Sequence, residues 1–292
     1  MKASILALVV THNRKQLLRD CLTALLKQHY PVAQILIIDN ASTDGTREMV
    51  QQHFPQVEYR RLPENTGAAG GFHYGLQMAR GLEYDWIWLL DDDAHPQPDS
   101  LGRLMRGLER AHCLGQEPGV LLSRLTWIDG RTHPMGLPWP DLRHPGLILK
   151  AWGHEMVPIR FGTYASMLVR RSAVLQHPLP TKAYFLWNDD LEYSGRLLRR
   201  GLGFLVKDSV VVHKTRDPFS SALTATDEQF FLEARNRAWL IRSDAYGLLG
   251  KTFWMLNSLG LFWVRLHRRG LAGAGIILKG WLEGFRNPPP KY

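Results

Sequence analysis

The chain has 292 residues, of which 45% are hydrophobic and 22% are charged. This composition is typical of a folded protein with a substantial core and excludes wholesale disorder. The 36 Lys and Arg residues outnumber the 27 Asp and Glu residues and give a formal net charge of +9. An excess of this size indicates an acidic partner such as nucleic acid, anionic lipid or a phosphorylated substrate, and composition alone does not choose among them.

Strand and helix patterns alternate through residues 1–126. Short apolar runs typical of buried strands alternate with segments whose apolar residues recur at helical spacing. The predicted strands are 4–10, 34–39, 57–61, 86–90 and 120–126, and the predicted helices are 15–28, 43–52, 70–82 and 99–111. This repetition predicts an α/β fold with a mostly parallel sheet and helices on both faces.

The pattern changes after residue 126. The segment 127–160 is rich in proline and tryptophan, which predicts an ordered loop region or an antiparallel excursion. The later predicted elements are a strand at 161–169, a helix at 191–200, a strand at 204–213 and a long amphipathic helix at 226–243.

Two common nucleotide-binding motifs are absent from the sequence. The turn after the first predicted strand reads Thr11-His12-Asn13-Arg14 without GxGxxG, and no GxxxxGK[ST] segment occurs. The protein is therefore neither a dinucleotide-binding domain of that kind nor a P-loop enzyme.

Three consecutive carboxylates, Asp91, Asp92 and Asp93, directly follow the predicted strand 86–90. Ligands bind at the carboxyl ends of parallel strands in such folds. Adjacent carboxylates repel each other, and a bound cation offsets that cost. Because alternate residues can converge on one ion and hard oxygen ligands favour Mg²⁺ or Mn²⁺, Asp91 and Asp93 are candidate metal ligands. The alternative is a solvated acidic turn before the next helix.

Two further polar segments follow predicted strands. The glycine-rich segment 65–71 precedes a helix, where it could admit a phosphate close to backbone amides or simply form a tight turn. Asp39 and Asn40 end the second predicted strand and could contact a base or ribose. Ser42 or Thr43 could instead cap the following helix.

A second acidic cluster, Asp189, Asp190 and Glu192, follows Trp187 near the start of the helix at 191–200. The helix dipole favours acidic residues there without any catalytic role. Adjacent carboxylates beside a large apolar side chain also raise one pKa, which suits a general base. His213 ends the strand at 204–213, where it is either structural or a further ligand beside the carboxylates.

Taken in this order, these segments resemble the inverting nucleotide-sugar glycosyltransferases of family 2, which have the GT-A fold. The resemblance covers roughly residues 3–245 and is nearest to the rhamnosyl- and galactofuranosyltransferase branch. It rests on residues 9–14, 38–45, 65–72, 90–93 and 185–196, and on Arg235-Asn236-Arg237 in the late helix. It implies a GT-A domain at 1–243, with a nucleotide-binding half at 1–126 and an acceptor and catalytic-base half at 127–243, followed by a basic amphipathic tail at 244–292.

The resemblance also implies roles for individual residues. Asp91, Asp93 and His213 would hold the Mn²⁺ or Mg²⁺ ion that bridges the donor diphosphate, and Asp190 would be the catalytic base. The acceptor would contact Trp187, Asp189 and Glu192. The residues expected to bind the nucleotide sugar are Thr11, Asn13, Arg14, Asp39, Asn40, Asp44, Asn65, Gly70, Gly71 and Asp92. The base segment reads Asp-Asp-Leu-Glu where the family often has Glu-Asp-x-Asp, so the choice between Asp189 and Asp190 stays open.

The implied reaction transfers galactofuranose or rhamnose from a nucleotide-diphosphate donor to a hydroxyl of a glycan or polyprenyl-linked acceptor in bacterial envelope polysaccharide synthesis, such as that of O-antigen. A nucleotidyltransferase is one alternative, although the turn at 11–14 lacks its glycine-rich and basic signature. A non-catalytic sugar- or nucleotide-binding homologue is another, which the retained carboxylates disfavour.

The C-terminal segment carries most of the excess charge. From residue 241 onwards, eight Lys and Arg residues accompany two Asp and Glu residues and are interleaved with Trp, Phe and Leu. This distribution disfavours a nucleic-acid partner, whose footprint would lie on the folded domain. The uncharged stretch 252–264 is too short to span a bilayer, and basic residues with aromatics fit helices on an anionic membrane surface. We therefore expect a cytoplasmic protein on the inner face of the plasma membrane; the alternative is helices packed on the catalytic domain or on a second subunit in a homo-oligomer.

Overall fold

Strands and helices alternate along the first half of the chain in the computed structural model, which describes residues 2–137, 139–217, 222 and 224–289. The strands are β1 (Ile5–Thr11), β2 (Gln34–Asp39), β3 (Glu58–Arg61), β4 (Trp86–Asp91), β5 (Ala94–Pro96), β6 (Val120–Thr126), β7 (Met156–Pro158), β8 (Met167–Arg170) and β9 (Gly203–His213). The α-helices are α1 (Lys15–Leu26), α2 (Thr46–His53), α3 (Gly67–Ala79), α4 (Ser100–Cys113), α5 (Pro145–Trp152), α6 (Arg171–Gln176), α7 (Asp189–Arg200), α8 (Asp227–Arg242) and α9 (Leu248–Arg286). Short 3-10 helices cover Pro134–Gly136, Tyr164–Ser166 and Lys182–Tyr184.

The described strands form one nine-stranded sheet in the order β3-β2-β1-β4-β8-β6-β9-β5, and β7 also pairs with β9. Strands β3, β2, β1 and β4 are parallel, as the alternating pattern predicts. Strand β8 lies antiparallel between β4 and β6, and β9 is parallel to β6 but antiparallel to β5 and β7. The predicted mixed α/β fold is confirmed, but the second half of the sheet is not mostly parallel. The excursion after β6 includes β7, which pairs antiparallel with the start of β9, before the chain continues to β8.

Most predicted element boundaries differ from the observed ones by a few residues, and three of the differences affect the site or the sheet. The strand predicted at 161–169 begins only at Met167, because residues 164–166 form a 3-10 turn. The helix predicted from residue 70 begins at Gly67, and the helix predicted from residue 191 begins at Asp189. The second acidic cluster therefore lies within the first turn of α7.

Apolar side chains cover both faces of the sheet. In β1, Ile5, Ala7 and Val9 face a layer that contains α1, α2 and α4, whereas the alternate residues face a layer that contains α3 and α7. This alternation follows from the period of two in a strand, and burial on both faces explains the continuous apolar runs in the sequence. Polar side chains at the ends of the strands are left to build a site at the carboxyl edge.

Helix α3 packs too closely on the sheet to admit side chains at two glycines. A Cβ at Gly71 would lie 2.3 Å from Cγ1 of Val10, and a Cβ at Gly75 would lie 2.5 Å from Cδ1 of Leu8. A Cβ at Gly70 would lie 2.2 Å from Oγ1 of Thr66. The glycine-rich sequence therefore serves helix packing at these positions.

The C-terminal region consists of α8 and α9, and α9 is interrupted at Gly270, which has φ 56° and ψ −142°. Its second part packs on α8 at two glycines, because a Cβ at Gly280 or Gly284 would lie 2.6 or 2.4 Å from a carbonyl oxygen of α8. The boundary predicted at 243/244 falls in the connection between these helices and stays a prediction. Residues 290–292 of the predicted tail lie outside the described residues. Among the helices described, none has an apolar stretch long enough to cross a membrane.

Candidate active site

A cavity of about 750 Å³ opens at the carboxyl edge of the sheet. Its walls come from the ends of β1, β4 and β9, the start of α3, the loop before α7, and helices α8 and α9. The predicted site residues that line it are Thr11, Arg14, Asn65, Asp91, Asp92, Asp93, Trp187, Asp189, Asp190 and His213. Both acidic clusters and the late histidine thus surround one space.

Asp91, Asp93 and His213 converge because of the register of the sheet. The pairing of β5 with β9 sets Ala94 opposite His213, which brings the imidazole beside the preceding Asp93. Nε2 of His213 lies 3.0 Å from Oδ1 of Asp93 and 3.9 Å from Oδ2 of Asp91. One ligand atom from each of the three residues lies within 4.8 Å of the others.

Crowding of buried carboxylates perturbs their pKa values. Burial and the neighbouring Asp93 charge raise the pKa of Asp91 to about 7. Burial also raises the pKa of Asp92 to about 6, although Arg14 opposes the shift. Burial acts on Asp93 as well, but His213 and Arg14 outweigh it and lower its pKa to about 2. In return, Asp93 raises the pKa of His213 against the effect of burial.

The donor atoms of this cluster fit a divalent cation. Oδ1 of Asp93 is buried, and its described contact is with Nε2 of His213 at 3.0 Å, so both groups already converge on the position that a cation would take. Two carboxylates and one imidazole form a set that suits Mn²⁺ or Mg²⁺, and a cation there would offset the repulsion between the carboxylates. Asp91, Asp93 and His213 could therefore hold a metal ion.

Asp91, Asp92 and Asp93 form what we call the acidic triad. Arg14 and Thr11 contact the last two of its carboxylates directly. Nη1 of Arg14 lies 3.1 Å from Oδ1 of Asp92 and 3.0 Å from Oδ2 of Asp93. Thr11 Oγ1 donates a hydrogen bond of 2.8 Å to Oδ2 of Asp92. The turn after β1 thus holds Asp92 from both sides of its carboxylate.

Several residues predicted to bind the nucleotide sugar do not line the cavity. These are Asn13, Asp39, Asn40, Asp44, Gly70 and Gly71. Asp39 and Asn40 are buried. The carboxylate of Asp39 accepts from the Ser42 backbone and from the Tyr59 hydroxyl. The side chain of Asn40 binds the backbone of Thr66 and Gly67 at the start of α3.

Asn13 and Asp44 hold neighbouring turns. Oδ1 of Asn13 accepts from the backbone of Thr43 at 2.7 Å, and Asp44 accepts from the backbones of Lys15 and Thr46. The structure therefore gives these polar residues and the two glycines architectural partners, because each turn needs its backbone groups satisfied. Their predicted contacts with the nucleotide stay predictions.

Asp190 and Asp189 lie in the first turn of α7. Asp189 is buried, whereas Asp190 is partly exposed. Burial raises the pKa of Asp190 to about 7, and Glu233 adds to the shift. Burial and then the Asp190 charge raise the pKa of Asp189 well above its usual range. Glu192 does not line the cavity, and its carboxylate pairs with Nε of Arg196 at 2.7 Å; its predicted contact with the acceptor stays a prediction.

The loop before α7 has a left-handed backbone at three residues that are not glycine. Phe185, Trp187 and Asn188 have φ values of 64°, 64° and 67°. Such conformations cost about 1–3 kcal/mol each and persist only where the surroundings over-determine them. A Cβ at Gly67 would lie 2.0 Å from the carbonyl oxygen of Phe185, so the start of α3 also fits tightly against this loop.

Two residues of α8 hold this loop, and neither is assigned a role by the sequence. Nδ2 of Asn236 lies within 3.0 Å of the carbonyl oxygens of Tyr184, Leu186 and Trp187. Oε2 of Glu233 accepts from Nδ2 of Asn188 at 2.7 Å. The sequence signal for Asn236 is the Arg235-Asn236-Arg237 segment, which carries part of the resemblance. Glu233 lies outside that segment. His12 is a further missed cavity residue.

Two curated relatives span nearly the same length as this chain or most of it. The galactofuranosyltransferase GlfT1 of Mycolicibacterium smegmatis is 26% identical over 295 residues, which cover 96% of this chain and 94% of that protein. The N-acetylglucosaminyl-diphospho-decaprenol L-rhamnosyltransferase of Mycobacterium tuberculosis is 27% identical over 243 residues, which cover 70% of this chain and 76% of that protein.

Solved structures share the fold. TarS of S. aureus, residues 1–349 in complex with UDP-GlcNAc, has a TM-score of 0.64 at 14% identity, covering 97% of this chain and 81% of that one. The mannosyltransferase PcManGT from Pyrobaculum calidifontis, in complex with GDP-Man and Mn²⁺, has a TM-score of 0.58 at 16% identity, covering 94% of this chain and 74% of that one. These likenesses confirm the predicted GT-A fold.

The family model named glycosyl transferase family 2 matches residues 7–174, which is more than half of the chain. The matched segment includes β1, the acidic triad and the start of α3, all of which contribute to the cavity. With this match and the relatives above, the chain belongs to glycosyl transferase family 2 and is a glycosyltransferase.

Proposed function

We propose that this glycosyltransferase moves galactofuranose or rhamnose from a nucleotide-diphosphate donor to a hydroxyl of a glycan or polyprenyl-linked acceptor, with inversion, in bacterial envelope polysaccharide synthesis such as that of O-antigen. One observation carries the proposal: the cavity joins the Asp91, Asp93 and His213 cluster to Asp190. The names of the two relatives support the choice of sugar.

The acidic triad is the proposed donor end of the cavity. Asp91, Asp93 and His213 would hold Mn²⁺ or Mg²⁺, which when bound would offset the negative charge that develops on the diphosphate leaving group. Arg14 stays within 3.1 Å of Asp92 and Asp93 and keeps the triad from excessive repulsion. Thr11 and Asn65 line the same end and are the proposed contacts of the nucleoside.

Asp190 is the proposed general base. It lines the cavity, and its raised pKa of about 7 lets it be ionised at neutral pH yet basic enough to accept a proton. It would take the proton of the acceptor hydroxyl while that oxygen attacks the anomeric carbon and the bond to the diphosphate breaks on the opposite face. A single displacement of this kind inverts the anomeric configuration. Its greater exposure favours Asp190 over Asp189.

Asn236 is the proposed residue that positions the base. Its amide group holds three carbonyl oxygens of the strained loop that leads into α7. A displacement of the loop would move Asp190 relative to the acceptor hydroxyl, and errors of about 1 Å cost large factors in rate.

The exposed face of α9 is proposed to lie on an anionic membrane surface. Leu249, Leu256 and Trp263 recur every seven residues and are 87%, 63% and 69% exposed. Lys279 and Arg286 are exposed on the same helix, whereas Arg265 is buried and pairs with Asp227. Exposed apolar side chains on a helix whose later part, beyond Gly270, carries exposed cations suit such a surface. This contact would place the enzyme on the cytoplasmic face of the plasma membrane. The competing proposal is that a second copy of the chain covers the same face of α9.

We predict that Asp190→Asn lowers turnover by about 10²-fold or more while nucleotide binding survives. In the wild type, kcat/KM should fall as the pH drops below about 7, because the base becomes protonated there. Both effects are measured by assaying the release of nucleoside diphosphate at intervals of about half a pH unit, from about pH 5.5 to about pH 8.5. Asp189→Asn is the matched control, and full activity in Asp190→Asn with loss in Asp189→Asn would exchange the two assignments.

We predict a metal-dependent thermal shift with one class of nucleotide. UDP, dTDP, UDP-galactofuranose and dTDP-rhamnose are compared with Mn²⁺ and with chelator, and saturation at about 100 Kd should stabilise the fold by about 2.7 kcal/mol. Asp93→Asn should abolish the shift, and Asp99→Asn, which changes a partly exposed carboxylate before α4, should not. Equal shifts with Mn²⁺ and with chelator would contradict the metal site.

We predict that Asn236→Asp lowers turnover by about tenfold or more, because a carboxylate would face the three carbonyl oxygens and release the strained loop. The nucleotide thermal shift should remain, since the donor end lies on other elements. Glu228→Gln, an exposed change on the same helix, is the control. Unchanged turnover in Asn236→Asp would show that the loop keeps its conformation without this amide.

Flotation with vesicles tests the membrane contact. The triple variant Leu249→Glu, Leu256→Glu, Trp263→Glu should lose binding to vesicles that contain phosphatidylglycerol, because it places acidic side chains on the apolar face. The pair Leu142→Glu, Leu149→Glu changes equally exposed leucines elsewhere and is the control. Equal flotation of both variants would contradict the proposal, and a loss of dimers instead would assign the face to a second copy.

A further inference from the structure

The side of the cavity formed by α8 and α9 is not accounted for by the donor end or the base. Glu233 and Arg237 of α8 and Phe253, Trp254 and Asn257 of α9 line the same space as Asp190. We call these five residues the helical wall. We propose that the helical wall is a subsite for one uncharged sugar ring of the acceptor; this inference rests on the proposed glycosyl transfer.

The polar members of the helical wall form an ordered chain of contacts. Oε1 of Glu233 lies 2.5 Å from Nε of Arg237, and Nη1 of Arg237 donates to Oδ1 of Asn257 at 2.7 Å. Within the described part of the chain, Nη2 of Arg237 and Nδ2 of Asn257 make no hydrogen bond. Both residues line the cavity, and planar groups that neighbours hold in place and that keep free donors suit the hydroxyls of a sugar.

Aromatic rings cover the adjoining part of the wall. The rings of Phe253 and Trp139 lie 3.9 Å apart between centroids, and those of Trp254 and Phe161 lie 5.1 Å apart. All four line the cavity. Aromatic faces bury the C–H face of a sugar while its hydroxyls reach polar groups at the edge, because such side chains combine large apolar area with defined geometry.

Charge distinguishes a sugar from a phosphate at this position. Glu233 is buried and its carboxylate is paired with Arg237, so the two charges offset each other. The pair therefore offers no excess positive charge to a phosphate, in contrast to an isolated arginine. An uncharged sugar ring can bind here while Glu233 and Arg237 stay paired, so no buried charge loses its partner.

The helical wall is also connected to the base. Oε2 of Glu233 binds the side chain of Asn188, which immediately precedes Asp189 and Asp190. A sugar held against Glu233 and Asn257 would therefore lie on the side of the cavity where α7 begins, and one of its hydroxyls could face Asp190. Asp91, Asp93 and His213 lie at or just after the ends of β4 and β9, on another wall of the cavity. That arrangement leaves room for the donor.

Saturation-transfer NMR with methyl glycosides of galactose, rhamnose and N-acetylglucosamine tests the subsite in full-length protein saturated with nucleoside diphosphate and Mn²⁺. Methyl glycosides lack an alkyl chain and so do not report on the exposed face of α9. At least one should bind the wild type, and Asn257→Ala and Phe253→Ala should each weaken it by about tenfold, the scale of one lost polar contact or ring. Thr252→Ala, an exposed polar-to-alanine change on the same helix, should bind like the wild type.

Two results would overturn the inference: no glycoside binds the wild type, or binding survives unchanged in both wall variants. Melting temperatures verify that the variants are folded, and exposed Asn257 is the safer of the two substitutions. Nucleotide binding in the same samples separates the two proposals. Normal nucleotide binding with no glycoside binding removes the subsite alone, whereas absence of nucleotide binding removes the proposed function.

Discussion

Repulsion among buried carboxylates at one edge of the sheet is the constraint around which the other features of the site are arranged. Six acidic side chains line the cavity in the described part of the chain: Asp91, Asp92, Asp93, Asp189, Asp190 and Glu233. Arg14 and His213 offset part of the charge at the triad, which is why Asp93 stays ionised while the pKa of Asp91 rises. A bound cation would relieve the remaining repulsion most directly. The same repulsion that destabilises the cluster without a metal therefore favours binding of one.

The second acidic cluster meets the same constraint differently. In the part of the chain that the structure describes, no arginine forms an ion pair with Asp190, and burial raises the pKa of this carboxyl group, which makes it more basic. The loop that presents it carries backbone strain at Phe185, Trp187 and Asn188, and α8 balances that strain with hydrogen bonds that Asn236 donates and Glu233 accepts. Strain of this kind is common at functional sites because it fixes a group where relaxed backbone would not place it. The helix that follows the last strand therefore helps to hold the loop that presents Asp190 to the cavity.

The sequence predicted those parts of the fold and site that depend on local pattern. Strand periodicity located β4, the rule that ligands meet strand ends made Asp91 and Asp93 candidate ligands, and the family resemblance added His213 to them. The sequence could not predict that β8 runs antiparallel to β4 and β6. The direction of that strand depends on the edge at which the chain re-enters the sheet, and no local pattern encodes it. The sequence also could not separate glycines that approach a ligand from glycines that pack a helix, as at Gly71. The bond from Asn188 to Glu233 joins residues 45 positions apart, and no local pattern encodes it.

Helix α9 shows most clearly how tertiary contacts change the interpretation of a segment. Its basic and aromatic composition predicts a membrane-facing tail, yet Phe253, Trp254 and Asn257 lie in the cavity while Leu249, Leu256 and Trp263 of the same helix are exposed. A single helix thus presents one face to the site and the adjoining face to the surroundings. If the exposed face rests on a membrane, the acceptor subsite on the inner face lies within one helix diameter, about 10 Å, of the lipid surface. A lipid-linked glycan could then place its first sugars at the helical wall while its lipid stays in the bilayer.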